Sequence, residues 1–308
     1  MYEMFESELA KAFDQLPADA SRLFHGRGHC FEGLEFVNVD WFSPVVWVVM
    51  YGDVDEPVFV RLCDIVKTQA ERIPGVDAVL VQHREKGKSV QDVIYGDMPD
   101  ACVAHEAGES YALTFGRNQN IGFFLDAKPA RQWVRENAEG KRVLNLFAYT
   151  CSFSVAALAG GAQSVVNIDM AKSALATGKV NHKLNKFDGA RVSFLPHDVF
   201  RSTRKLAKYG PYDLIICDPP SRQKGSFEAD KDYTRLIGKL EPMLAEDAQI
   251  MALLNAPYLD EDFLPDIFAQ KMPSYQYVER LAQREDFPES DNQCCLKMQL
   301  FMPKASST

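Results

Sequence analysis

Asp218-Pro219-Pro220-Ser221 follows the apolar run Tyr212-Asp213-Leu214-Ile215-Ile216-Cys217. Consecutive prolines fix the backbone and remove two amide donors at that strand end. The Asp218 carboxylate and the neighbouring carbonyls then face whatever enters the cleft. Taken alone, the tetrapeptide reads equally well as a plain loop. Three upstream strand ends add matching chemistry. The first, Asn145-Leu146-Phe147-Ala148-Tyr149-Thr150-Cys151-Ser152-Phe153, leads into a helix and has no glycine before Gly160, which disfavours close approach of a diphosphate. The helix start with the Thr150 and Ser152 hydroxyls suits a ligand bearing a carboxylate and an ammonium. The second, Asn167-Ile168-Asp169, places an acid about twenty positions past the turn, where such folds hold a ribose diol. A helix cap is the competing role, since Met170-Ala171-Lys172-Ser173 follow. The third, Pro196-His197-Asp198-Val199-Phe200, offers an acceptor for an adenine amino group and apolar contact to the ring; a cap is again the alternative. Ribose acid, adenine acid and Asp-Pro-Pro in this order describe an S-adenosylmethionine pocket.

The elements that must position these residues begin near Val143. Apolar strand runs at Val143 to Phe147, Val165 to Asp169, Arg191 to Leu195, Leu214 to Cys217 and Gln249 to Leu254 alternate with helix-length segments such as Ser154 to Ala159 and Ser173 to Leu184. That alternation implies a doubly wound α/β fold, a mostly parallel sheet covered on both faces. Ligands of such sheets bind beyond the carboxyl ends of the strands. Residues 1–110 read differently, as a small α+β domain, with 111–308 as the second domain. Helical spacing runs through Phe5, Leu9 and Phe13. Arg22 to Gly28 reads as a turn-rich entry to a strand. Leu34 to Val39 and Pro44 to Tyr51 read as paired strands. An amphipathic helix over Val60 to Ile73 follows, then a strand from Val76 to Gln82, a charged turn from His83 to Lys88, and a hairpin around His105 to Glu109.

Composition narrows the function classes. The 308 residues are 46% hydrophobic and 25% charged, which fits a soluble globular protein. No apolar run approaches a membrane span, and the start lacks the order of a secretion signal. Seven cysteines at irregular spacing argue for a reducing cytoplasm. Cys294-Cys295 has no second pair or histidine at ligand spacing, so no metal site is expected. The net charge of −9 opposes a broad nucleic-acid interface unless positive charge is local. Local basic runs exist at Arg84 to Lys88, Arg201 to Lys208 and Arg222 to Lys224; a solvated face is the ordinary role of each.

From Arg22 onward the chain resembles the bacterial ribosomal RNA large-subunit methyltransferases, which include cytosine-C5 enzymes and a guanine-N7 domain. The matching pieces are Leu23-Phe24-His25-Gly26, Gly33-Leu34, Asn120 to Asp126, Arg131, Val143 to Ser154, Asp169, Asn185-Lys186, Asp198-Val199-Phe200 and Asp218-Pro219-Pro220. The resemblance implies a class I, Rossmann-like methyltransferase domain, a pocket partly lined by Phe123-Phe124, and no room for the extra N-terminal RNA-binding module of some relatives. Cytosine-C5 relatives carry a cysteine nucleophile after the fifth strand. Here that place reads Leu254-Asn255-Ala256-Pro257-Tyr258. C5 needs a thiolate adding at C6 first, and strand alternation should turn Cys217 away from the cleft. The guanine-N7 relative has asparagine where Asn255 stands, and a C-terminal pattern resembling Asp286 to Leu296. Ring N7 has a free lone pair, so placement and desolvation of the sulfonium suffice there.

The expectation is therefore a cytoplasmic S-adenosyl-L-methionine-dependent methyltransferase of RNA, ribosomal RNA as the resemblance implies, acting at a purine ring nitrogen by direct displacement. Asp218, Pro219, Pro220 and Asn255 form the acceptor side. Phe124, Asn145, Phe147, Tyr149, Thr150, Ser152, Asp169, Met170, Asp198, Val199 and Asp218 form the cofactor side. Ser221 cannot stack a base; Tyr233 or Arg222 are the candidates for that task. A homodimer is allowed and a membrane partner is not expected. The alternatives are a cytosine-C5 RNA methyltransferase, a protein or small-molecule methyltransferase, and a cofactor-binding module without turnover.

Overall fold

The computed structural model describes residues 1–85, 88–116, 119–223 and 227–305. These divide into two compact units, Met1–Leu125 with Arg284–Asp291, and Asp126–Gln283 with Asn292–Thr308.

The first unit contains α1 (Tyr2–Phe13), β1 (Ser21–His25), β2 (Val37–Phe42), β3 (Val45–Tyr51), α2 (Glu56–Glu71), β4 (Ala78–Glu85), β5 (Lys88–Gly96), β6 (Cys102–Glu106) and β7 (Glu109–Leu113). Strands β1 to β5 form one sheet in sequence order. Only β3 and β4 are parallel, as the intervening α2 requires. Phe5, Leu9 and Phe13 of α1 and Leu62, Ile65 and Val66 of α2 pack with Val37, Val39, Val46, Val48 and Val79. Period-two alternation then puts Asn38, Asp40, Trp47 and Gln82 on the other face.

Three sequence expectations change here. Arg22 to His25 is a paired strand rather than a turn, because the turn residues begin only at Gly26. His83 and Arg84 continue β4 and Lys88 begins β5; Lys86 and Gly87 of the expected charged turn lie outside the described residues. The first unit also runs past residue 110. Tyr111 and Phe123 pack ring to ring at 4.6 Å, and the Thr114 amide donates to Ile121 O at 2.8 Å. The chain returns to this unit at Arg284–Asp291, where Arg284 pairs with Asp286 at 2.5 Å and Asp286 accepts from the Arg22 amide at 2.9 Å. Much of the C-terminal pattern from Asp286 is thus a strap on the first unit.

The second unit contains α3 (Lys128–Asn137), β8 (Arg142–Leu146), α4 (Ser152–Ala159), β9 (Ser164–Ile168), α5 (Lys172–Leu184), β10 (Val192–Leu195), α6 (Val199–Leu206) and β11 (Tyr212–Cys217). After β11 come the short β12 (Arg222–Gln223) and β13 (Phe227–Glu228), α7 (Ala229–Ile237), β14 (Leu244–Leu254), α8 (Phe263–Lys271), β15 (Tyr275–Arg280) and β16 (Lys297–Pro303). The seven-stranded sheet has the order β10-β9-β8-β11-β14-β16-β15. Strands β10, β9, β8, β11 and β14 are parallel, and β16 and β15 add an antiparallel edge. One face packs Leu144, Leu146, Ile215 and Ile250 against Leu206, Tyr233, Leu236 and Phe268 of α6 to α8. The other packs Val143, Val165, Leu214 and Met251 against Val134 of α3 and Phe153, Ala157 and Leu158 of α4. Strand order reverses between β8 and β11, the switch point where a crevice opens beyond the strand ends. Among the described residues no helix is long and apolar enough to cross a membrane.

Candidate active site

The turn from β8 into α4 has no glycine, yet Phe147, Tyr149 and Cys151 all take left-handed backbone angles, with φ of 56°, 46° and 64°. Each costs an L-residue roughly 1 kcal/mol or more, so the surrounding structure must hold the turn in place. The Ala148 amide donates to Ile168 O at 3.0 Å and the Cys151 amide to Ala148 O at 2.7 Å. Asn181 donates to Thr150 O at 2.9 Å. Helix α5 lies against the turn so closely that a Cβ on Gly178 would sit 2.5 Å from Cys151 Sγ. Backbone strain thus supplies the approach that glycines give in nucleotide folds.

Asp169, just past β9, ties two segments together. Its Oδ2 accepts from the Tyr149 amide at 2.8 Å and its Oδ1 from the Ala171 amide at 2.7 Å. A carboxylate has about four acceptor positions, so capacity for a diol remains. Met170 beside it is exposed. Asp198 caps α6, accepting from the Arg201 amide at 3.1 Å, the competing role weighed for it. The Val199 side chain is packed into the core, so it offers a ligand no exposed apolar surface. Phe200 is half-buried, with the Arg235 guanidinium 4.2 Å over its ring.

Asn145 is buried and heads a chain of polar groups that the sequence reading did not detect. Its Nδ2 donates to Asn167 Oδ1 at 2.9 Å, and Asn167 Nδ2 donates to Ser154 Oγ at 3.0 Å. Ser154 Oγ lies 2.9 Å from His182 Nε2, and His182 Nδ1 lies 2.6 Å from Gly178 O. A carbonyl accepts only, so Nδ1 carries the proton and Nε2 accepts from Ser154. Burial holds the His182 pKa below its ordinary value, with the bond to Gly178 opposing. Every donor in the chain points the same way, and Asn145 Oδ1 is left buried with no hydrogen-bond partner among the described residues.

Across the switch point, Asp218 is half-buried and its pKa is pushed up to about 7. Burial is the main cause; Asp126 adds to it and Arg131 opposes it. Arg131, on α3, is fully buried. Pro219 is buried and Pro220 half-buried. Asn255 is exposed just past the end of β14. Beside it Lys297 is fully buried, donates to Ala256 O at 3.5 Å and to Gln293 O, and so fastens the segment after Asn255.

The second unit therefore brings together Asn145, Phe147, Tyr149, Thr150, Ser152 and Asp169 around one turn, and Asp218, Pro219 and Pro220 on the adjacent strand. Phe124 belongs to the first unit and is exposed. Tyr233 is not available to stack a base, since it is fully buried and its hydroxyl donates to Leu253 O. Arg222 lies 5.7 Å over the Tyr258 ring; Lys224 of that basic run lies outside the described residues. Cys217 is fully buried and its thiol is pushed well up by burial. Among the described residues no metal-holding cluster of His, Cys, Asp and Glu occurs.

A parallel sheet with a constrained first turn, an acid after the second strand and Asp-Pro-Pro after the fourth defines a class I methyltransferase. The family model for S-adenosylmethionine-dependent methyltransferases matches residues 21–302, and the chain belongs to that family. Its cofactor is S-adenosylmethionine. The chain is similar to YwbD of Bacillus subtilis, provisionally named a ribosomal RNA large subunit methyltransferase, with 29% identity over 90% of this chain and 72% of that protein. It is 34% identical to ribosomal RNA large subunit methyltransferase I of Aeromonas hydrophila over 68% of this chain and 55% of that protein. The chain thus spans about half of that relative's length. A crystal structure of SMU.776 complexed with SAH superimposes with a TM-score of 0.85 at 26% identity, covering 98% of this chain and 81% of that one.

Proposed function

We propose that the protein methylates large-subunit ribosomal RNA in the cytoplasm, at a purine ring nitrogen of the guanine-N7 kind, by direct displacement on the sulfonium. The observation that carries this reading is the acceptor side of the site. The thiol at the strand end, Cys217, is buried and held protonated, which removes it as the nucleophile that carbon methylation requires. Cys151 is likewise buried with its thiol pushed well up. What remains is the Asp218 carboxyl, two prolines without amide donors, and the exposed Asn255 amide. A ring nitrogen with a free lone pair needs orientation and no base. Methylation at N7 moves positive charge from sulfur onto the base, and an ionised Asp218 beside the base stabilises that charge. Asn255 is suited to reading a purine edge through its amide. On the cofactor side, Asp169 receives the ribose diol, Asp198 the adenine amino group, and Asn145 Oδ1 the α-ammonium of the methionine part.

One observation favours a second reading. A carboxyl with a pKa near 7 is also suited to accept a proton from an N–H acceptor such as an exocyclic amine. The two readings differ in the product. Large-subunit RNA incubated with the protein and deuteromethyl-labelled cofactor, then digested to nucleosides and weighed, should contain labelled 7-methylguanosine. Label on an exocyclic amine would establish the second reading, and label at cytosine C5 would overturn both.

A further inference from the structure

The first unit carries a positively charged stack that the methyl-transfer site does not use. Residues Gly26–Gly28 form a single tight turn after β1. A Cβ on Gly26 would lie 1.9 Å from Leu34 O, and one on Gly28 would lie 1.8 Å from Pro288 O. Both flanks of the turn are therefore pressed against backbone, and the residue between them is Arg27, which is exposed. Its amide donates to Asn38 Oδ1 at 3.2 Å, and its guanidinium lies 4.6 Å over the Tyr51 ring. Arg84 lies 5.4 Å from the same ring and 5.4 Å from the Trp47 ring. It is fixed by bonds to Gln82 Oε1 at 2.8 Å and to Gln119 O.

This arrangement is expensive to hold without a counter-ion. Arg84 is half-buried, and burial lowers its pKa. The nearby carboxylate of Asp40 is already taken by Arg22, at 2.6 Å and 3.2 Å. Among the described residues, neither Arg27 nor Arg84 has a carboxylate within ion-pair distance. In a chain of net charge −9, a packed turn presents one exposed guanidinium on an aromatic ring with a second guanidinium beside that ring.

We infer that Arg27, Tyr51 and Arg84 form a contact site for the RNA substrate, in which Arg27 pairs a backbone phosphate and offers its outer face to an unstacked base. Guanidinium planes and aromatic rings are the surfaces on which single-stranded bases stack, and arginine also matches phosphate geometry. An acidic peptide would use the charge and leave the planar face unused. The inference rests on the reading that the substrate is RNA.

The test uses the full chain and unmodified large-subunit ribosomal RNA transcribed in vitro, with binding measured over a range of salt concentrations. Arg27→Ala should weaken binding about tenfold and lower the slope of log affinity against log salt by about one. Arg27→Lys should keep the slope while losing part of the affinity, because it keeps the charge and loses the plane. Titration with S-adenosylhomocysteine reports whether the variants are folded. If wild type binds the RNA and Arg27→Ala binds it with unchanged affinity and slope, this inference is overturned while the RNA reading stands. If wild type shows no salt-dependent RNA binding, the RNA reading fails and takes this inference with it.

Discussion

Replacing Asp218 by asparagine should make the protein more stable and less active, with a stability gain that depends on pH. The carboxyl is raised from 3.8 to about 7 in the folded chain, mainly by burial. Between those two values the folded protein keeps a proton that the unfolded chain has released, so Asp218 destabilises the wild type progressively as pH rises from about 4 to about 7. Three units at about 1.4 kcal/mol each set an upper limit of about 4 kcal/mol; solvent reaching the half-buried carboxylate reduces this to roughly 2–4 kcal/mol. Asparagine has nearly the same shape and no charge to desolvate. Urea unfolding of both proteins at several pH values should show Asp218→Asn more stable than wild type at pH 8, with the difference vanishing near pH 4. Methyl transfer to RNA should fall sharply in the same variant, because the ionised carboxylate is what stabilises charge on the base. An equal difference at pH 4 and pH 8, or a less stable variant at pH 8, would refute the assignment of a raised carboxyl pKa.

Three further predictions concern the cofactor side and the excluded nucleophile. Ser154→Ala leaves Asn167 Nδ2 and His182 Nε2 buried without their Ser154 partner, so it should cost roughly 2–4 kcal/mol of stability and weaken S-adenosylhomocysteine binding by loosening Asn167, the side chain that holds the Asn145 amide; calorimetry and urea unfolding check both. Asp169→Ala should abolish cofactor binding, since it removes the diol acceptor and releases the Tyr149 and Ala171 amides; heat equal to wild type in a titration would contradict this. Cys217→Ala should transfer methyl groups at the wild-type rate, and an inactive but folded variant would revive a thiolate mechanism.

The sheet and its ligand-bearing ends were legible because parallel strands buried on both faces read as unbroken apolar runs, as at Leu214 to Cys217. Asp169 and Asp218 stood out for the same reason: each is the first charge after such a run. The strap at Arg284–Asp291 was not legible, since its contacts with Arg22 and the Gly28 backbone span most of the sequence. Strand β1 was hidden by the turn residues that directly follow it. The left-handed angles at Phe147, Tyr149 and Cys151 carry no glycine signal, because α5 and Asp169 enforce them from elsewhere in the chain. Asn145, Asn167, Ser154 and His182 lie on two strands and two helices, so only the folded sheet aligns their hydrogen bonds. Tyr233, a candidate for stacking by type alone, is consumed by the core because α7 packs directly on the sheet.

Hydrogen–deuterium exchange of the protein with and without S-adenosylhomocysteine tests the placement of the cofactor most directly. The account predicts slowed exchange at the amides of Phe147 to Ser152, Asp169 to Ala171 and the start of α6, all in the second unit. Unchanged exchange there in a protein saturated with the ligand, or protection confined to other segments, would contradict it.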